Sequence, residues 1–155
     1  MKARFAASVV LALGIAVGAS GCTFVTYQAT TEKYDASDGI SANVGSLDIR
    51  NALVVSDDGA DGVLAMTVVN TGDRDVRLVV QFEGGTGRTS ETVEIPANGT
   101  TVFGGAELDA LALEGIDTDP GAFLPVYFQY GQEQGAEKLV PVLDGSLPEY
   151  GALLR

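Results

Sequence analysis

The sequence predicts an all-β domain, a two-sheet Greek-key sandwich of about seven strands, preceded by a short apolar N-terminal helix. Three observations predict it. Apolar residues alternate with polar ones in several short runs. The clearest is Val76, Leu78, Val80 and Phe82, with Arg77 and Gln81 between them, the pattern of a strand with one buried and one wet face. Turn-forming clusters of Gly, Asp and Asn separate these runs at the spacing expected of a sandwich, and the chain holds 20 Gly and no Trp. Finally, 155 residues that are 46% hydrophobic and 19% charged suffice for one core-bearing domain plus an extra segment.

The extra segment comes first. Lys2 and Arg4 form a positive head, and Phe5 to Val17 is apolar or small. Ala19, Ser20, Gly21 and Cys22 follow. A charged head, a short apolar run and small residues at a cut site mark an export signal. The run is shorter than the ~20 apolar residues a spanning helix needs. Residues 1–21 therefore read as a signal peptide, with cleavage between Gly21 and Cys22. An ordinary signal peptide with an unrelated Cys, and an uncleaved anchor, are the alternatives.

Residues 22–43 are rich in Thr, Ser, Ala and Asp, with aromatics at no sustained period, and read as a flexible tether. The β-domain is expected over residues 44–145. Leu47, Ile49, Leu53 and Val55 fall on one alternating face of its first strand, with a bulge at Asn51-Ala52 between them. Asp57 to Gly62 is a turn. Val63 to Val69 is the next strand, with Leu64, Met66 and Val68 on one face. Asn70-Thr71-Gly72-Asp73 turns the chain into the run from Val76. Gly84 to Gly87 turns it again, Val93 and Ile95 follow, and Thr100 to Phe103 resumes after Pro96-Ala97-Asn98-Gly99. Ala106 to Leu113 fits a strand or a single helical turn. Glu114 to Gly121 is an acidic loop. Leu124, Val126, Phe128 and Tyr130 alternate, and Leu139 to Leu143 is the last strand. Pro141 has no N–H to donate, which predicts an edge or a bulge there. Residues 146–155 read as a loose tail.

Charge and chemistry narrow the function. The net charge of -12 becomes -14 once residues 1–21, with Lys2 and Arg4, are removed. Such a domain repels nucleic acid, which needs Lys or Arg to neutralise its phosphates. There is no His and one Cys, so His-dependent hydrolase triads are ruled out, as is an internal disulfide. Transition-metal sites draw on His, Cys and Met; Met66 is placed for core packing. Gly84 to Thr89 superficially resembles a phosphate loop. Phe82 stands where the first Gly belongs, Arg88 stands where Lys belongs, and no helix pattern follows. Calcium prefers oxygen ligands. The candidates for it are Asp57, Asp58 and Asp61 in one acidic turn, and Glu114, Asp117 and Asp119 in another. The EF-hand pattern fails there, since Val68 stands where its twelfth-position Glu belongs. No catalytic residue and no cofactor is expected, so the chain reads as a non-enzyme.

Ala19-Ser20-Gly21-Cys22 resembles the bacterial lipobox, although Ala19 stands where that motif usually has Leu. The resemblance implies that the Cys22 thiol receives a diacylglyceryl group (in the mature form often joined by a further acyl chain such as palmitate). Two chains on one glyceryl group hold a protein durably where one chain binds marginally. The partner is then the membrane, through lipid on Cys22, together with an envelope protein or polymer, and the location is extracytoplasmic at the cell membrane. The lipobox, the Asn70-Thr71-Gly72-Asp73 turn, Tyr127-Phe128 and Val140-Pro141-Val142-Leu143 together resemble small actinobacterial lipoproteins. Those are similar in layout to the periplasmic copper-chaperone (PCuAC-like) family. That resemblance implies an immunoglobulin-like or cupredoxin-like scaffold. The family's His and Met ligand set has no counterpart here, so its copper function does not carry over. The expected function is a non-catalytic binding or structural module. The alternative is a carboxylate-based calcium module, or a copper-chaperone-like protein that has lost its ligands.

Overall fold

The computed structural model describes residues 2–20, 34–85, 87–105 and 109–154. The chain divides into two units, Met1–Tyr34 and Asp35–Arg155. The first holds helix α1, Lys2–Ser20. Ala, Leu and Val on every side favour the helix without giving it a polar stripe. Among the described residues, no helix is long and apolar enough to cross a membrane.

Among the described residues, the second unit is all-β apart from one short helix. Its nine strands are β1 Ile40–Val44, β2 Leu47–Val55, β3 Gly62–Asn70, β4 Val76–Gly84, β5 Gly87–Ile95, β6 Thr100–Phe103, β7 Leu111–Leu113, β8 Phe123–Gln129 and β9 Ala136–Leu143. Helix α2 is Pro148–Gly151. Hydrogen bonding runs in the order β5-β4-β8-β9-β2-β3-β6, with β1 added on β2 and β7 on β3. This path curls over on itself. Leu78, Val80 and Phe82 of β4 and Leu124, Val126 and Phe128 of β8 thus share one core with Leu47 and Ile49 of β2 and Leu64, Met66 and Val68 of β3. The expected all-β fold is present as one curled sheet whose two halves share a core, with nine strands among the described residues where about seven were expected. The two extra strands are short. β7 has three residues, too few to show a period, and β1 gives the core Ala42 and Val44, with Ile40 packed at its margin.

The bulge in β2 lies where the sequence puts it. Pairing with β3 shifts between Arg50 and Leu53, and Asn51 takes a positive φ of 49°. Its Oδ1 accepts the Gly39 N–H at 2.9 Å, which offsets part of the backbone strain. Beyond the bulge the facing of β2 is reset: Ala52 and Val54 point to the core, while Leu53 and Val55 point away from it.

Three expectations are corrected. Pro141 is not on an edge. β9 lies between β8 and β2 and joins the two halves of the sandwich. It pairs antiparallel with β8 from Ala136 to Pro141, then parallel with β2 through Val142 and Leu143. The Val142 N–H still donates to the Ala122 carbonyl at 2.9 Å, so Pro141, one residue earlier, directs its nitrogen away from β8, and pairing with β2 begins only at Val142; the missing N–H interrupts neither ladder. The tether range 22–43 overlaps β1, whose residues 40–43 lie in the sheet. The tail from Ser146 is not loose. Leu53 and Val55, on the outer face of β2, are only 2% and 0% exposed. Glu149, Tyr150 and Leu153 flank the groove that contains Leu53, Ala65 and Val102. Glu149 to Leu153 therefore lie over Leu53 on the outer face of β2 and form a partial cover there, while Val102 of β6 stays 43% exposed. The Tyr150 hydroxyl fastens that cover by donating to the Asp38 carboxylate.

Candidate functional site

The loops gather at two ends of the sandwich, and the charges sort with them. At one end the two acidic loops are tied together. Ile116 and Thr118 donate their N–H groups to the carbonyls of Ala60 and Gly59 at 2.8 and 2.9 Å. Asp61 Oδ1 accepts the Gly115 N–H at 2.7 Å. Asp57 Oδ1 accepts the Gly145 N–H at 3.2 Å, and Asp58 Oδ1 the Ala60 N–H at 3.0 Å. The structure thus brings together Asp57, Asp58, Asp61, Glu114, Asp117 and Asp119, which the sequence places on separate loops. Three of these carboxylates already serve as backbone acceptors. Among the described residues, no group of three or more His, Cys, Asp and Glu is disposed to hold a metal ion. Met66 is in the core at 2% exposure.

Asp144 belongs to the same end. The Ser146 hydroxyl and then the Ser146 N–H, both donating to its carboxylate, hold Asp144 below the usual carboxylate range. Tyr150 is shifted the other way. Its hydrogen bond to Asp38, followed by burial and by the negative charges of Asp38 and Glu149, pushes the phenol up to about 12.

The opposite end is held mainly by neutral hydrogen bonds, with Asp75 Oδ1 accepting the Ala97 N–H at 2.8 Å. Asn70, buried at the end of β3, accepts from the Gly72 N–H at 3.0 Å and the Ser46 hydroxyl at 3.2 Å. Its amide donates to the carbonyls of Arg74 and Ile95. The Asn-Thr-Gly-Asp turn is thereby locked to the β1-β2 turn.

The feature that stands out is a face. On β8 the alternation that sends Leu124, Val126 and Phe128 inward sends Phe123, Pro125 and Tyr127 outward. On β9 it sends Leu139 and Pro141 outward. Register aligns them as cross-strand pairs: Phe123 with Pro141, Pro125 with Leu139, Tyr127 with Glu137. Cross-strand neighbours on one face are in contact range. Phe123 is 59% exposed, Leu139 58% and Tyr127 37%. Beside this strip lies an open depression of about 290 Å³ lined by Gln81, Glu83, Arg88, Pro125, Tyr127 and Glu137. The Gln81 amide is held by the Ser90 hydroxyl at 2.9 Å.

Of the residues singled out in the sequence, Tyr127 belongs to this surface and Tyr150 does not; it holds down the C-terminal cover. Gly21 and Cys22, the cleavage and lipidation positions, lie outside the described residues, as do residues 106–108. Phe123 and Leu139 were missed as surface residues. The signal was present, because both share the parity of solvent-facing positions on their strands. It was masked by their apolar character, which reads as core.

Fold and surface together define an all-β domain with an exposed, partly apolar sheet face. No protein-family model matches the chain, and no curated protein matches it. A solved structure described as an apo PmoF2 PCuAC domain is similar over 66% of this chain and 95% of its own, at 18% identity and a TM-score of 0.49. The likeness is one of chain path and brings no functional residue across.

Proposed function

We propose that this chain is an extracytoplasmic lipoprotein, anchored through lipid on Cys22, that acts as a non-catalytic binding module for a macromolecular partner. The observation that carries the binding part is the position of its exposed apolar residues. Phe123, Tyr127 and Leu139 lie exposed on the outer face of β8 and β9, beside an open depression and not in an enclosed cavity. Small ligands are held in concave sites that enclose most of their surface. An exposed apolar strip with polar neighbours suits another macromolecule. The anchoring part is supported by the lipobox-like Ala19-Ser20-Gly21-Cys22.

Two measurements test this. Cys22→Ser is expected to move the protein out of the membrane fraction and to abolish labelling by a fatty-acid precursor. Continued membrane retention and labelling of the variant would contradict lipid anchoring. Crosslinking in intact cells is expected to give a reproducible adduct, and turnover of an envelope substrate by the purified protein would overturn the non-catalytic reading.

The second reading is a calcium module, favoured by the joining of the two acidic loops. Calorimetry with millimolar calcium decides it. Heat of binding and a raised melting temperature support it; their absence removes it.

A further inference from the structure

We infer that the partner is a basic protein that docks across Phe123, Pro125, Tyr127 and Leu139 and places a Lys or Arg side chain in the depression between Glu83 and Glu137. The inference rests on the binding-module reading above and assigns its surface.

Charge is distributed unevenly along the strands. Phe123 opens β8 directly after the acidic loop that carries Glu114, Asp117 and Asp119, and Pro141 lies three residues before Asp144. Asp57, Asp58 and Asp61 are hydrogen-bonded into the same end. Arg88 is the cationic residue near that end. Arg74 and Arg77 lie at the other end, and the exposed Lys138 pairs with Val126 midway along β8, between Glu137 and Leu139. A partner covering Phe123 must therefore approach a ring of carboxylates. A basic surface gains from that field both in encounter rate and in register.

The depression extends the argument to a single side chain. Glu83 and Glu137 outnumber Arg88 among its lining residues, and the Tyr127 ring forms part of its wall. A cation resting on an aromatic ring beside two carboxylates has both an ion-pair and a cation–π partner. Outward residues two apart on β8 are ~6.6 Å apart, so Phe123, Pro125 and Tyr127 present a strip ~13 Å long. Such a strip suits the apolar centre of an interface, with the charged groups as its rim.

The same charge disfavours the other occupants. Two copies at -14 each repel. Phosphate-rich polymers and anionic headgroups meet the carboxylate ring as like charges.

The test uses the full-length protein crosslinked in its own cells. Leu139→Glu and Phe123→Ser alter the strip, the double variant Glu83→Lys with Glu137→Lys reverses the depression, and Asp73→Lys at the opposite end is the control. All five positions are on the surface, and unchanged melting temperatures confirm intact folds. The strip variants and the charge reversal are each expected to lower the heteromeric adduct ~10-fold or more, a change equivalent to ~1.4 kcal/mol. The control is expected to retain it, the adduct is expected to fall with rising salt, and its partner is expected to be a protein of net positive charge. An adduct that survives all strip and depression variants overturns the inference and leaves the binding-module reading standing. So does a homodimer adduct, a polysaccharide adduct or an acidic protein partner. No adduct from the wild-type protein overturns both.

Discussion

The hydroxyl of Tyr130 accepts the backbone N–H of Ser46 at 2.9 Å across a separation of 84 residues. Tyr130 follows β8 and Ser46 sits in the turn between β1 and β2, so this bond ties the two halves of the sandwich at one end. The Ser46 hydroxyl lies 3.0 Å from the same phenol and also reaches Asn70 Oδ1.

Tyr130→Phe keeps the ring and leaves the Ser46 N–H without its acceptor in a partly buried site. The expected loss is ~1–2 kcal/mol. Asn70→Ala removes the acceptor of two donors and the donor to two carbonyls, so its loss is expected to be larger, ~2–3 kcal/mol. Both are read by urea unfolding. The double variant should lose less than the sum, because Ser46 links the two residues. Strict additivity would show that they act independently.

Gly84 ends β4 where the chain passes the loop after β7. A Cβ there would stand 1.8 Å from the Gly115 carbonyl oxygen, a backbone atom that no rotamer change can move. Gly84→Ala is expected to destabilise by more than ~2 kcal/mol, as strain at a close backbone approach does. Gly121→Ala makes a useful contrast. Nothing lies within 4 Å of its added Cβ, and the only penalty comes from its φ of 91°. Equal melting temperatures for the two variants would contradict this account.

Removal of residues 147–155 should uncover Leu53. Re-exposing a buried Leu costs ~1.5–3 kcal/mol, so truncation is expected to lower stability by about that amount. It should also raise the binding of a hydrophobic dye to the folded domain. Leu153→Ala should give a smaller change of the same sign. A truncated chain as stable as the whole one would mean that the C-terminal segment does not cover this face.

Two pH effects follow from the C-terminal region, and they have opposite signs. Asp144 is held below its ordinary range in the folded state, so its contribution is present above about pH 4 and is lost as the pH falls through the folded value. Tyr150 is pushed up to about 12, so its contribution is present below about pH 10 and is lost as the pH rises through 12. Ultraviolet titration of the tyrosines should show one ionising late. Asp38→Asn removes the charge that faces it and should return that tyrosine toward the others. A late step unchanged in Asp38→Asn would assign the shift to another cause.

Much of the fold was legible in the sequence because a strand with one buried face writes its facing every second residue. Val76 to Phe82 and Leu124 to Phe128 point inward as read. The Asn51-Ala52 bulge was readable in place but not in effect: Leu47, Ile49, Leu53 and Val55 read as one face, whereas the bulge turns Leu53 and Val55 to the other side and puts Ala52 and Val54 in the core. Parity says which face a side chain takes and nothing of what lies on that face. Leu53 and Phe123 both point away from the core. Leu53 is buried under the C-terminal segment, and Phe123 is open to solvent.

What the sequence alone determined is therefore local: the charged head and short apolar run, the alternating strands, the turns and the absence of His. The tertiary structure decided which strands adjoin. It set Pro141 at the switch between two sheets, joined the two acidic loops at one end, folded the tail over β2 and left the β8-β9 face uncovered. The physical reason is range. Side-chain facing follows from backbone geometry over a few residues, whereas neighbours on a sheet depend on hydrogen bonds between segments far apart in the chain.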